Sequence, residues 1–78
     1  MTLIQIDRTL DARRLACPMP IVKTAQLMKT MESGQTLEVI STDPGSVKDF
    51  AAWSRTTGNP LLDSSSDAAS YRFVLRKA

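Results

Sequence analysis

Residues 10–20 read LDARRLACPMP and join an apolar segment to the beginning of the first predicted helix. The two prolines of this stretch cannot lie inside a helix, but both suit its first turn, where backbone N–H groups have no helical partner. Before it, apolar and polar residues alternate, which predicts a strand within residues 3–10 that ends near Arg8. Residues 11–16 are then expected to form the connecting loop.

A helix from about Pro18 to Met31 is predicted by the apolar residues that follow. Ile21, Ala25 and Met28 recur at helical spacing and define the stripe expected to face the core. Gly34 stands where a C-terminal cap is expected, since glycine readily adopts the left-handed conformation found there.

The remainder of the chain predicts one more helix and three more strands. Asp43 is expected to be the N-cap of the second helix and Pro44 its first residue, with Val47 and Phe50 on its buried stripe and Gly58 at its end. Alternating apolar residues predict strands at 36–42, 61–64 and 71–76.

The resulting order, β-α-β-α-β-β, indicates an α/β (α+β) fold in which two helices pack on one face of a four-stranded mixed sheet. Such a two-layer sandwich lets each element bury its one apolar face. The right-handed crossover rule makes the first two strands parallel. Both helix N-termini then lie at the same end of the sheet. The length of 78 residues predicts a single domain, 1–78.

Composition excludes several classes of protein. The single cysteine cannot form an internal disulfide, and the absence of histidine removes His-based metal sites and Cys-His pairs. Ten basic residues against eight acidic ones give a net charge of only +2, and aromatic residues make up 5%, so direct nucleic-acid binding is not expected. No cofactor is expected. The chain shows neither a signal-peptide pattern nor a membrane-spanning apolar run, which favours the cytoplasm.

Cys17 is the candidate functional residue. It lies at the predicted start of the first helix, where the helix dipole favours the thiolate, and Arg13 and Arg14 are close along the chain. A low thiol pKa and an exposed sulfur are therefore expected. The alternative is that Cys17 is a small buried apolar residue, as free cysteines often are.

The stretch 10–20 resembles the signature of the TusA/SirA-like sulfur carriers, Leu-Asp-x-Arg-Gly-Leu-x-Cys-Pro-x-Pro. Residues 34–39, the run Thr42-Asp43-Pro44-Gly45-Ser46, Asp49, Trp53 and Gly58 also match the pattern of that family, so the resemblance covers nearly the whole chain. Arg14 stands where the family usually has glycine, and it adds a charge near the sulfur.

The resemblance implies a carrier that holds sulfur as a persulfide on Cys17. In such a relay, sulfur arrives from a cysteine desulfurase, a rhodanese or a related sulfurtransferase and passes to an acceptor protein. Members of the family serve tRNA thiolation, molybdenum-cofactor synthesis or sulfur oxidation. The protein would act as a carrier and not as a turnover enzyme on small molecules, as a monomer that forms transient complexes and has no membrane partner.

Other residues near Cys17 have candidate supporting roles. Asp11 could orient the loop by capping backbone N–H groups or by pairing with Arg13, or it could form an ordinary Asx turn. Arg13 could steady the thiolate, dock an acidic partner or remain a solvated loop charge. Pro18 and Pro20 would stiffen the start of the helix. Candidate contacts to partner proteins are Arg14, Met19 and Lys23. The Asp43–Ser46 segment could bind an anion, but helix capping is the simpler interpretation because Asp43 would repel an anion.

Two other functions remain open. A non-catalytic RNA-binding or regulatory module fits the architecture, although the low charge and few aromatics count against it. A thiol redox enzyme would need an external resolving thiol, since the chain has no second cysteine.

Overall fold

The computed structural model describes residues 5–78. Two helices and four strands follow the predicted order: β1 Arg8–Ala12, α1 Met19–Met28, β2 Thr36–Ser41, α2 Ser46–Thr57, β3 Leu61–Ser66 and β4 Tyr71–Arg76. The predicted class is confirmed.

The four strands form one mixed sheet in the order β1-β2-β4-β3. β1 pairs with β2 in parallel, as the crossover rule predicts, and β4 is antiparallel to both β2 and β3. β2 and β3 therefore run in the same direction. Each helix links two strands of like direction, so both helices begin at the same end of the sheet.

The core lies between the helices and one face of the sheet. Phe50 of α2 stacks on Phe73 of β4 with ring centroids 4.5 Å apart and an interplanar angle of 24°. The remaining fully or nearly fully buried members of this cluster are Ala12, Met28, Met31, Leu37, Val39 and Leu75. The core draws on both helices and three strands, so it fixes their relative positions.

The first strand lies later in the chain than predicted. The residues described before Arg8 are not in a strand, while Asp11 and Ala12, which were predicted to be loop, belong to β1. Pairing with β2 runs from Arg8 opposite Leu37 to Ala12 opposite Ser41. The deciding factor is burial, because Ala12 is fully enclosed in the core. Residues 3 and 4, which were part of the predicted strand, lie outside the described residues.

The first helix is shorter than predicted and turns a different side to the core. It ends at Met28, and Met31 packs into the core from the turn that follows. Its buried residues are Pro20, Thr24 and Met28, whereas Ile21 is only half-buried. Thr24 tolerates burial because its hydroxyl donates a hydrogen bond to the Pro20 carbonyl at 2.8 Å.

The second helix begins at Ser46, three residues after the predicted N-cap. Gly45 occupies the cap position, and Asp43 makes no side-chain capping bond. Val47, expected in the core, is 42% exposed, while Phe50 is buried as predicted. Gly58 ends the helix in the left-handed conformation at φ 77°, also as predicted. β3 extends two residues beyond its predicted end, to Ser66.

On the face of the sheet that points away from the helices, Arg72 forms ion pairs with one acidic residue on each neighbouring strand. Arg72 donates hydrogen bonds to Glu38 on β2 and, at 3.2 Å, to Asp63 on β3. Alternation along β4 places Arg72 opposite in direction to Phe73, which lies in the core. This ion-paired cluster links three neighbouring strands.

Replacing Phe50 with alanine should lower the free energy of unfolding by about 3–5 kcal/mol, because the change opens a cavity beneath a fully buried ring. Val47→Ala on the same helix should change it by no more than about 0.5 kcal/mol, since Val47 is exposed. Urea unfolding followed by circular dichroism measures both. Equal effects of the two substitutions would contradict the assignment of Phe50 to the core.

Candidate functional site

Cys17 lies in the connection between β1 and α1, immediately before Pro18, the residue at the N-cap position of α1. Its side chain is exposed, as predicted, and the peptide bond between Cys17 and Pro18 is cis. The buried-cysteine alternative is therefore wrong. Pro20, in the first turn, is buried and anchors this end of the helix to the core side.

Two carboxylates hold Cys17, one from the connection between β2 and α2 and one from α2 itself. The backbone N–H of Cys17 donates to Oδ2 of Asp43 at 3.1 Å. The thiol donates to Oδ2 of Asp49, in the first turn of α2, with Sγ and Oδ2 2.8 Å apart. The start of the second helix thus completes the surroundings of the cysteine at the start of the first.

These carboxylates raise the pKa of the Cys17 thiol above its ordinary value. The hydrogen bond to Asp49 is the main cause, followed by partial desolvation and by repulsion between a thiolate and the charges of Asp49 and Asp43. The expectation of a low thiol pKa is wrong. It rested on the helix dipole and the nearby arginines, and it left out carboxylates that come from a distant part of the chain.

Arg13 is bound to Asp11 instead of to the sulfur. Nε and Nη2 of Arg13 each donate to the Asp11 carboxylate at 2.9 Å, and the Arg13 backbone N–H donates to the same carboxylate at 3.1 Å. These bonds lower the pKa of Asp11 from 3.8 to about 2. Both proposed roles of Asp11 are present, because the carboxylate orders the turn and pairs with Arg13.

Arg14 adopts the left-handed conformation, with φ at 69°. Its backbone N–H donates to Oγ1 of Thr42 at 2.9 Å, which ties the loop after β1 to the end of β2. A glycine would adopt this φ without the steric cost that an L-residue incurs there. The loop therefore keeps a glycine-type conformation although it carries an arginine.

An open cleft of about 550 Å³ lies beside this loop. It runs between the loop after β1, the end of β2 and the turn between β3 and β4. Its lining residues are Asp11, Arg13, Arg14, Thr42, Ala69 and Ser70.

Apolar side chains are exposed around the beginnings of both helices. Met19, a predicted partner contact, is 39% exposed, and Val22 and Val47 are 37% and 42% exposed. Lys23, the other predicted contact on α1, is also exposed. The surface near Cys17 therefore combines apolar and charged side chains.

No cluster of His, Cys, Asp and Glu within residues 5–78 could hold a metal ion. Among the same residues, neither helix has the length and apolar character needed to cross a membrane.

Sequence reasoning missed Asp43 and Asp49 as neighbours of the sulfur. Asp43 was assigned to helix capping, and Asp49 was noted only as part of a family pattern. A usable signal was present, because the predicted topology already placed both helix N-termini at one end of the sheet. From that placement, acidic residues near the start of α2 could have been predicted to contact Cys17.

Arg14→Gly should change the free energy of unfolding by no more than about 1 kcal/mol, since relief at φ 69° offsets the greater freedom of glycine in the unfolded chain. Arg14→Val should cost at least about 1 kcal/mol, because a β-branched residue is strained at positive φ. Thermal and urea unfolding compare the two. Valine tolerated as well as glycine would show that the loop does not hold this conformation.

Arg13→Gln should raise the pKa of Asp11 from about 2 toward 3.8. Because the folded-state pKa is depressed, the contribution of Asp11 to stability is present above its unfolded value and is lost as the pH falls toward about 2. A carboxyl NMR titration of both proteins measures the shift. Identical Asp11 titration curves would contradict the ion pair.

Comparison with known proteins gives close relatives over almost the whole chain. The sulfur carrier protein TusA of Allochromatium vinosum is 46% identical over 72 residues, which cover 92% of this chain and 95% of that protein. The relative YrkI of Bacillus subtilis is 46% identical over 71 residues, which cover 91% of this chain and 95% of its own length.

The fold is also that of a solved structure. The crystal structure of a SirA-like protein from Desulfitobacterium hafniense superimposes with a TM-score of 0.78 at 17% identity, covering 88% of this chain and 95% of that one. Residues 8–77 match the family described as Sulfurtransferase TusA. The resemblance seen in residues 10–20 is thereby confirmed, and the chain belongs to the TusA family of sulfur carriers.

Proposed function

We propose that this protein accepts sulfane sulfur on Cys17 as a persulfide and relays it to a partner protein in the cytoplasm. The observation that carries the proposal is the placement of Cys17. It is the only cysteine of a sulfur-carrier family member, and it stands exposed where the two helices begin.

The transfer is an exchange of sulfur–sulfur bonds. The Cys17 thiol first loses its proton to water, and its Sγ then attacks the outer sulfur of a donor persulfide. One S–S bond forms, the S–S bond of the donor breaks, and the donor cysteine leaves as a thiolate. No oxidant is required, since one S–S bond breaks for each one made. With no second cysteine in the chain, the loaded sulfur cannot be displaced within the molecule as a disulfide.

Residues beside Cys17 support this role. Asp11 and Arg13 bind each other and order the loop before it, while Pro18 and Pro20 fix the direction in which α1 begins. Arg14, Met19 and Lys23 are exposed and are proposed to contact partner proteins. Apolar and charged side chains together suit complexes that form and separate.

The partners are a sulfur donor and a sulfur acceptor. A cysteine desulfurase, a rhodanese or a related sulfurtransferase is proposed as the donor. The acceptor would belong to tRNA thiolation, molybdenum-cofactor synthesis or sulfur oxidation. The protein then acts as a carrier that is regenerated by reloading, and not as an enzyme that turns over a small molecule.

The packing of the aromatic residues argues against the RNA-binding alternative. Sheets that bind RNA stack bases on exposed aromatic side chains. All four aromatic residues of this chain lie in the core or pack against it: Phe50, Trp53, Tyr71 and Phe73. The opposite sheet face presents the ion-paired Arg72 instead.

Incubation of the reduced protein with polysulfide, or with a desulfurase and cysteine, should add about 32 Da, one sulfur atom, to the intact mass. The added mass should disappear on treatment with a thiol, because the persulfide sulfur passes to the reductant. Intact-mass spectrometry measures both steps.

Cys17→Ser is the matched control, since it replaces only the sulfur at an exposed position. This variant should fold and should gain no thiol-labile mass. Failure of the wild-type protein to gain sulfur from either donor would overturn the persulfide proposal.

A further inference from the structure

Asp49 is the residue that contacts the reacting atom of Cys17. Its Oδ2 lies 2.8 Å from Sγ, although the two residues are 32 positions apart in the chain. Asp49 is half-buried in the first turn of α2, and its own backbone N–H is bound to the Gly45 carbonyl at 3.1 Å. The carboxylate is thus held at the sulfur by the helix and not by a flexible loop.

We propose that Asp49 is a positioning residue that prolongs the lifetime of the sulfur carried on Cys17 by opposing negative charge on Sγ. This inference rests on the proposed persulfide function. It assigns to Asp49 the control of when the cargo leaves, a task separate from accepting the cargo.

Discharge of the carrier places negative charge on Sγ. A thiolate of the acceptor attacks the outer sulfur of the protonated persulfide, and the bond between that sulfur and Sγ breaks. The electron pair of the broken bond stays on Sγ, and the outer sulfur keeps its proton. Cys17 therefore leaves as a thiolate beside the Asp49 carboxylate and then takes a proton from water. A thiol leaves more slowly from a disulfide-type bond when its pKa is higher.

Within residues 5–78, the two charged groups that act on Sγ are both negative. Asp49 approaches from α2, and Asp43 approaches from the connection between β2 and α2, where it also accepts the Cys17 N–H. Both oppose the thiolate, and both act to raise the thiol pKa. Arg13, on the connection between β1 and α1, is bound to Asp11. Protonation of the released thiolate is therefore favoured, and it restores the hydrogen bond to Asp49.

The same arrangement lowers the reactivity of the unloaded thiol. A thiol that donates to a carboxylate is a weak nucleophile, because the thiolate is the reactive form. Exposed Cys17 should consequently react slowly with small electrophiles and oxidants at neutral pH. The persulfide should likewise resist small cellular thiols.

The test compares discharge of the loaded protein to glutathione in wild type and in Asp49→Asn, followed by intact mass over time. The asparagine keeps the shape of the side chain and removes its charge. Sulfur loss from Asp49→Asn should be several-fold faster than from wild type, and the midpoint of its alkylation rate against pH should move to lower pH.

Three further variants control the comparison. Glu32→Gln removes one exposed negative charge beyond the C-terminal end of α1 and should behave as wild type in both measurements. Asp49→Glu keeps the charge and should discharge more slowly than Asp49→Asn. Asp49→Ala is a second neutral variant. If Asp49→Asn does not fold, Asp49→Ala takes its place in the comparison with wild type.

The outcomes separate this inference from the proposed function. A wild-type protein that takes up no sulfur overturns the persulfide function, and with it the role of Asp49 in retaining cargo. A wild-type protein that loads, but discharges at the same rate as its neutral Asp49 variants, overturns the inference alone. An unchanged alkylation midpoint in those variants overturns it as well.

Discussion

The parallel pairing of β1 with β2 is the constraint on which the site depends. Two parallel strands need a crossover connection, which here is α1. β2 and β3 also run in the same direction, and α2 connects them. Both helices therefore begin at one end of the sheet and lie side by side. This arrangement brings Asp49, in the first turn of α2, within 2.8 Å of Cys17 Sγ. An antiparallel β1 would separate the cysteine from both carboxylates.

The distance of each charge from Sγ decides which of them controls the pKa of the Cys17 thiol. A helix N-terminus has roughly half a positive charge, which favours a thiolate. Asp49 contributes a full negative charge in direct contact with Sγ, and Asp43 adds a second one nearby. Contact with a full charge outweighs the dipole, so the thiol pKa rises. Cys17 is exposed, while the two carboxylates disfavour negative charge on its sulfur.

Much of the fold could be predicted from the sequence because the elements have clear periodicity. The order of elements, the parallel β1–β2 pair and the helix end at Gly58 all follow from local pattern. The errors in β1 and α1 share one cause. The bounds of β1 and the buried side of α1 depend on which side chains the core encloses, such as Ala12 and Thr24. The local pattern of apolar and polar residues does not show which side chains will be buried by residues far along the chain.

The sequence by itself determined the family, the single thiol and its position before the first helix. These properties follow from residue identity and spacing, which are local. The tertiary structure alone decided the direction in which the pKa of that thiol shifts, the pairing of Arg13 with Asp11 and the exposure of Val47. A pKa depends on the nearest charges in space, and the nearest charge to Cys17 belongs to a residue 32 positions away.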